Sequence, residues 1–147
     1  MYGSTTVSLT ENSTGVATTN SISRKKRILI VDDDMDIANL YKLSLEDEGF
    51  VVNAFNDPLL ALSNYRAETY EMLLLDVKMP QMSGFELYQK VKQIDDKVKV
   101  CFITAFEEYH SEFKKLFPKS REPDCVIMKP IELRNLTKIV KSQLDHN

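Results

Sequence analysis

Residues 28–34 read Ile-Leu-Ile-Val-Asp-Asp-Asp, an unbroken apolar run that ends in three carboxylates. A short apolar run of this kind is typical of a strand buried on both faces of a parallel sheet. Apolar-rich runs return at residues 72–75 and 98–103, and each is followed by a polar residue. These runs decide the fold class, because buried parallel strands must alternate with helices that cover both faces of the sheet.

The intervals between the strands carry apolar residues at helical spacing. Asp57 followed by Pro58 is a typical helix start, and Leu40, Leu59 and Ile94 are predicted to face the core. The predicted strands are residues 28–31, 50–55, 72–75, 98–103 and 126–128, and the predicted helices contain residues 37–45, 59–65, 88–94, 107–117 and 133–144. Five strand–helix repeats predict an α/β fold, doubly wound, with a parallel sheet, right-handed crossovers and helices on both faces.

The composition is that of one domain without a strong charge bias. Of 147 residues, 43% are hydrophobic and 28% are charged, with a formal net charge of −3. Near-neutral charge argues against direct nucleic-acid binding, which needs a basic surface. No apolar run reaches the roughly 20 residues of a membrane span, so we expect a cytoplasmic protein without a membrane partner. Cys101 and Cys125 fit no zinc motif and are too few for a disulfide scaffold, so they are predicted to be small apolar core residues.

The beginning of the chain differs in composition from the rest. Thirteen of residues 1–23 are Ser, Thr or Asn, and Glu11 is the only charged side chain among them. Such a segment buries too little apolar surface to offset the entropy lost on ordering. We therefore predict a disordered Ser/Thr/Asn-rich tail over residues 1–25 and a folded domain over residues 26–147.

Polar side chains stand where four of the five predicted strands end. Asp32 and Asp33 follow the first strand and Asp76 the third, while Thr104 and Lys129 follow the fourth and the fifth. Since the carboxyl ends of parallel strands meet at one edge of the sheet, these side chains are expected to converge. Convergent carboxylates repel one another, and a hard divalent cation relieves the repulsion. Oxygen ligands with waters retained favour Mg²⁺.

The same residues suit phosphoryl transfer. A metal held by one or two carboxylates keeps positions open for phosphate oxygens, and the Lys129 ammonium and Thr104 hydroxyl can bind other oxygens of the group. A carboxylate whose charge is screened can act as a nucleophile toward phosphorus and form an aspartyl phosphate. Asp76 is the preferred nucleophile because it stands alone at a central strand end. Asp34 is predicted to cap the helix that follows the first strand.

Four segments together resemble the receiver domain of bacterial and archaeal two-component response regulators. They are residues 28–34, 74–80 with Gly84 following, 103–105 and 128–130. The resemblance extends from residue 27 to about residue 144 and implies a flavodoxin-like sheet of strand order 2-1-3-4-5. Because little of the 147 residues is left over for an output module, we expect a stand-alone receiver. It implies that Asp76 is the phosphoacceptor, that Mg²⁺ is held by Asp32, Asp33, Asp76 and the backbone carbonyl of Lys78, and that Thr104 and Lys129 act on the phosphoryl group.

The resemblance also implies partners. The phosphoryl donor would be a phosphohistidine on a sensor histidine kinase or phosphotransfer protein. The output would be an unknown downstream protein, contacted through the face formed by helix 4, strand 5 and helix 5. The chain would then be a phosphorylated signalling switch and not a turnover enzyme.

Three features depart from the family pattern or stand out beside the site. Val126 lies three residues before Lys129, where the family often has Tyr or Phe, so an aromatic readout of phosphorylation is in doubt. Residues 116–124 replace a short Gly-Ala turn with a longer segment that has two prolines. Phe106, two residues beyond Thr104, is predicted to slow the access of water to the phosphoryl group.

Two other functions remain open on the sequence. A phosphohydrolase of the haloacid dehalogenase type also uses a strand-end Asp, Mg²⁺, a hydroxyl and a Lys, with Asp32 as nucleophile and Asp34 as its partner. It would need a Thr or Val where Asp36 stands and a further acidic motif after the Lys, and the sequence has neither. A constitutive interaction module that never binds phosphate would not need the complete set of acidic residues.

Overall fold

The computed structural model describes residues 24–116, 123 and 125–145. Five parallel strands form one sheet in the order β2-β1-β3-β4-β5. The strands are β1 (Arg27–Val31), β2 (Val51–Phe55), β3 (Met72–Leu75), β4 (Lys99–Thr104) and β5 (Val126–Met128). The predicted fold class and strand order are confirmed.

A helix follows each strand. The helices are α1 (Met35–Asp47), α2 (Pro58–Ser63), α3 (Gly84–Ile94), α4 (Phe106–Leu116) and α5 (Leu133–Asp145). The carboxylates of Asp34 and Asp57 accept hydrogen bonds from the first-turn N–H groups of α1 and α2, so both predicted helix caps are confirmed. At α3, Ser83 and Glu86 form a reciprocal capping box, which fixes where this helix begins.

Two core layers lie on opposite faces of the sheet. Alternate residues of β1 enter different layers, Ile28 and Ile30 the first, Leu29 and Val31 the second. This alternation is the period-two geometry of a strand. Helices α1 and α5 cover the first layer, whereas α2, α3 and α4 cover the second. Both faces of the strands are therefore buried, and the carboxyl ends of the strands form one open rim.

Three helix positions predicted to face the core are exposed instead. Leu40, Leu59 and Ile94 have exposed fractions of 50%, 44% and 47%. In α1 and α2 the small residues Ala38 and Ala61 are buried. A small side chain lets a helix lie close to the sheet, and the neighbouring leucines then turn away from the core.

The sequence predicts Cys101 and Cys125 as small apolar core residues; their burial is confirmed, but their role as simple apolar residues is wrong because they pair. Cys101 lies in β4 and Cys125 directly before β5, and the two form a disulfide with 4.6 Å between their Cα atoms. Both residues are buried. The pairing follows from the sheet, because the Phe102 N–H donates to the Cys125 carbonyl and holds the two strands side by side.

Two sequence predictions concern residues outside the described part of the chain. The predicted tail falls there except for its last two residues, and so do residues 117–122 and 124 of the segment that departs from the family pattern. Among the described residues, no helix combines the length and apolar character needed to cross a membrane.

Candidate functional site

Three carboxylates converge at the rim where β1 and β3 end. Asp32 and Asp33 directly follow β1, and Asp76 directly follows β3, the strand hydrogen-bonded beside it. One carboxylate oxygen from each lies within 4.8 Å of the others. Asp32 and Asp76 are buried, whereas Asp33 is exposed. These three side chains therefore converge in the structure, as the sequence predicts.

Asp76 is held in a fixed position by its own backbone surroundings. Its N–H donates to the Val31 carbonyl at 2.9 Å, and its Oδ1 accepts the Val77 N–H at 2.8 Å. The side chain is buried, and burial together with the nearby charge of Asp32 raises the pKa of Asp76 from 3.8 to about 6. These surroundings disfavour the ionised form of Asp76. A cation bound nearby would stabilise that form.

The loop that follows β3 also fixes Asp76. The Gly84 N–H donates to the Val77 carbonyl at 2.7 Å, and a Cβ at residue 84 would clash with the carbonyl oxygen of Asp76. Only glycine permits this close approach of two backbone segments. Because Ser83 caps α3 at the same place, the start of that helix and the end of β3 are locked together.

Lys129 lies between the two buried carboxylates. Its Nζ is 2.9 Å from Asp32 Oδ2 and 3.5 Å from Asp76 Oδ2. Burial lowers the pKa of Lys129, but the hydrogen bond to Asp32 and the charges of Asp76 and Asp32 outweigh it, so the pKa is raised overall. The lysine is therefore a cation at neutral pH and offsets part of the negative charge.

Two of the consecutive aspartates after β1 have their positions set by hydrogen bonds. Asp32 Oδ1 accepts the Asp34 N–H at 2.9 Å, and the Asp34 carboxylate in turn caps α1. Asp34 is thereby engaged by its helix, while Asp33 keeps an exposed carboxylate. The structure thus separates the three acids by role, with Asp32 and Asp33 available to a cation.

Thr104 ends β4 and has a buried hydroxyl with an unmet hydrogen bond. Its exposed fraction is 0%, and its Oγ1 is the one buried side-chain polar atom without a partner among the described residues. The strand end is tied to the lysine, since the Lys129 N–H donates to the Thr104 carbonyl at 2.8 Å. Leaving a buried hydroxyl unpaired costs free energy, so the unpaired Oγ1 of Thr104 is unfavourable for the stability of this structure.

A cavity of about 510 Å³ opens over the converged carboxylates. Five carboxylates and two ammonium groups line it, an excess of three negative charges: Asp32, Asp33, Asp34, Asp76, Glu108, Lys78 and Lys129. Thr104 is buried and is not part of the lining. The donor set fits Mg²⁺, because several hard oxygen ligands converge and their combined charge favours a divalent cation.

The α4 side of the cavity differs from the sequence prediction. Phe106 is 61% exposed, packs its ring 4.3 Å from that of His110, and does not line the cavity. Its position gives no support to the predicted effect on water access. Glu108, two residues further along α4, lines the cavity instead. Sequence reasoning missed Glu108, because the first turn of any helix often carries acidic residues.

Known proteins resemble this chain over most of its length. A model of the response regulator receiver domain matches residues 28–141. The response regulator receiver protein CpdR of Brucella abortus is 35% identical over 121 residues, which cover 81% of this chain and 97% of that protein. The chain also matches several transcriptional regulatory proteins, and it spans about half of their length.

Solved structures have the same fold. The CheY-like receiver domain protein of Methanospirillum hungatei is 32% identical, with a TM-score of 0.66 over 83% of this chain and 95% of that chain. The response regulator TrrA of Thermotoga maritima, solved in complex with Mg(2+)-BeF, is 28% identical, with a TM-score of 0.64 over 80% of this chain and 97% of that chain.

Proposed function

The chain belongs to the response regulator receiver domain family, and from this premise we propose that it is a signalling switch activated by phosphorylation of Asp76. The observation that carries the proposal is the convergence of Asp32, Asp33 and Asp76, with the Lys129 ammonium bonded to two of them. This arrangement provides a nucleophile, ligands for a cation and a positive charge for a phosphoryl oxygen at one point.

Mg²⁺ would be held by Asp32, Asp33, Asp76 and the backbone carbonyl of Lys78. When bound, it would neutralise the negative charge of the site and of the incoming phosphoryl group. The excess of negative charge in the cavity and the raised pKa of Asp76 support this assignment. The receiver TrrA, which was solved with Mg(2+)-BeF, supports it from a relative.

Asp76 would receive the phosphoryl group from a phosphohistidine. A carboxylate oxygen of Asp76 attacks phosphorus, the phosphorus–nitrogen bond of the donor breaks, and the electron pair stays on the histidine nitrogen. Asp76 Oδ2 is the candidate oxygen, because it lies 3.5 Å from the Lys129 ammonium, whereas Oδ1 accepts the Val77 N–H at 2.8 Å. Lys129 would then bind a phosphoryl oxygen, and the unpaired hydroxyl of Thr104 would gain a hydrogen-bond acceptor.

The donor in this proposal is a sensor histidine kinase or a phosphotransfer protein. The Lys129 N–H donates a hydrogen bond to the Thr104 carbonyl. A shift of Thr104 toward the phosphoryl group would therefore also displace the adjoining ends of β4 and β5. A downstream protein would read that shift through α4, β5 and α5. No nucleic acid, membrane or repeated substrate turnover enters this mechanism, and the proposed location is the cytoplasm.

A labelling experiment tests the proposal. The protein is incubated with Mg²⁺ and acetyl phosphate, and intact mass is used to detect an added phosphoryl group. We expect a single addition to the wild type and none to Asp76→Asn. Asp57→Asn is the matched control, because Asp57 also follows a strand but caps α2, and Asn can cap as well.

Each other result points elsewhere. A wild type that takes no phosphoryl group would contradict the switch and favour a constitutive interaction module. Turnover of phosphomonoesters that is lost in Asp32→Asn would instead indicate a phosphohydrolase. Label that persists in Asp76→Asn would place the acceptor on another residue.

A further inference from the structure

Glu108 brings an additional negative charge to the proposed phosphorylation site. It lies in the first turn of α4, is half-buried and lines the cavity that contains Asp32, Asp76 and Lys129. None of the ion pairs between described residues includes Glu108. Its carboxylate therefore adds to the negative excess of the cavity, and no described residue pairs with it as a cation.

Glu107, the neighbouring acidic residue, provides a comparison for Glu108. Both glutamates belong to the first turn of α4, where a negative charge is favoured by the helix dipole. Glu107 is exposed and does not line the cavity, whereas the next residue does. Since consecutive helical residues point about 100° apart, the two glutamates lie on different sides of α4, and of the two Glu108 lines the cavity. The helix dipole accounts for an acid at either position, but not for one that lines a cavity together with other acidic residues.

The charge of Glu108 acts in opposite directions on the two ligands of the site. The other residues that line the cavity have an excess of two negative charges, and Glu108 raises it to three, so its carboxylate adds to the attraction of a divalent cation. A phosphoryl group carries about two negative charges near neutral pH, so the same carboxylate repels it.

Building on the proposed function, we propose that Glu108 sets the charge balance of this site. Its carboxylate strengthens the binding of a divalent cation and shortens the time for which Asp76 keeps a phosphoryl group.

The test compares Glu108→Gln with Glu107→Gln. Both changes remove one charge from the same helical turn and keep the side-chain shape. The dissociation constant of Mg²⁺ is measured by calorimetric titration of the unphosphorylated protein. The half-life of the phosphorylated protein is followed by intact mass after acetyl phosphate is removed, at saturating Mg²⁺.

Removing the charge of Glu108 should weaken the binding of Mg²⁺ and prolong the phosphorylated state. In Glu108→Gln the dissociation constant of Mg²⁺ should rise about three- to tenfold, and the phosphorylated half-life should lengthen by a similar factor. Glu107→Gln should change neither by more than about twofold, as expected for an exposed charge. The differences should shrink in about 1 M sodium chloride, because salt screens a charge effect.

A folding defect would not produce this pattern, since it would weaken Mg²⁺ binding and shorten the half-life together. That joint loss, no change in either quantity, or equal effects of the two variants would overturn the inference. If the wild type binds Mg²⁺ but takes no phosphoryl group, the proposed function fails and so does the phosphoryl half of the inference. The Mg²⁺ titration then still decides whether Glu108 attracts the cation.

Discussion

At the scale of single residues, the site contains a charged group and a polar atom in buried positions that are unfavourable for them. Asp76 is a buried carboxylate with a raised pKa, and Thr104 has a buried hydroxyl without a partner among the described residues. Both conditions cost stability in the ligand-free protein. A substitution that removes either group should therefore keep or raise the free energy of unfolding, while it impairs the proposed function.

Replacing Asp76 should stabilise the protein in a pH-dependent way. The folded-state pKa of Asp76 is about 6, above its ordinary value of 3.8, so the folded protein binds this proton more tightly than the unfolded chain. The free energy of unfolding should therefore fall as the pH rises from about 4 to about 6. Above that window Asp76→Asn should be more stable than the wild type by about 3 kcal/mol.

Urea unfolding without Mg²⁺ at several pH values measures this difference. The gap between the wild type and Asp76→Asn should narrow as the pH falls and close near pH 3, where Asp76 is largely protonated in both states. A gap of constant size across this range would mean that the ionisation of Asp76 is not its cause.

Thr104→Val should separate stability from signalling. Valine has the shape of threonine without the unpaired hydroxyl, so the free energy of unfolding should stay equal or rise by about 1 kcal/mol. Acetyl phosphate should still label Asp76, while the binding of a downstream protein or the shift in amide NMR signals of β4 and β5 should be lost. Thr104→Ser retains the hydroxyl and should keep these signals, and a Val variant that keeps them would contradict the proposed switch role.

At the scale of elements, the β4–β5 pair combines a short edge strand with a covalent bond. Strand β5 has three residues and, among the described strands, pairs only with β4, yet it leads directly to Lys129. The disulfide between Cys101 and Cys125 closes a loop between residues 24 positions apart. This bond holds the beginning of β5 against β4 where few ladder hydrogen bonds can form.

Breaking the disulfide should destabilise the domain. A cross-link that closes a loop of this length contributes about 3 kcal/mol in the chain-entropy model. Reductant should therefore lower the urea midpoint of the wild type, while the double variant Cys101→Ala, Cys125→Ala should be insensitive to reductant. Free thiols in the denatured, unreduced wild type would contradict the presence of the bond.

At the scale of the whole molecule, charge is distributed unevenly. The complete chain has a formal net charge of −3, and the cavity alone has an excess of three negative charges. The parallel sheet causes this concentration, because it directs the carboxyl ends of its strands to one rim. A cation bound there should stabilise the entire fold, since the unfolded chain cannot assemble these ligands.

Mg²⁺ should raise the melting temperature of the wild type. At a concentration about ten times its dissociation constant, a ligand specific for the folded state adds about 1.4 kcal/mol to the free energy of unfolding. Asp33→Asn should require more Mg²⁺ for the same effect, while Asp57→Asn should behave as the wild type. Equal stabilisation of both variants would place the cation elsewhere.

The sequence by itself determined the fold class and the rim on which the site lies. Apolar runs ended by Asp32, Asp76, Thr104 and Lys129 are local signals, and parallel strands bring such ends together whatever the details of packing. The caps at Asp34 and Asp57 were equally local, because a cap bonds to its own first turn.

Only the tertiary structure decided which neighbours meet across the fold. The rotation of α4 about its axis directs Glu108, and not Phe106, into the cavity, and the same kind of rotation exposes Leu40. The register of β4 and β5 pairs Cys101 with Cys125. Helix rotation and strand register are set by packing between residues distant in the chain. A local sequence pattern therefore does not predict them.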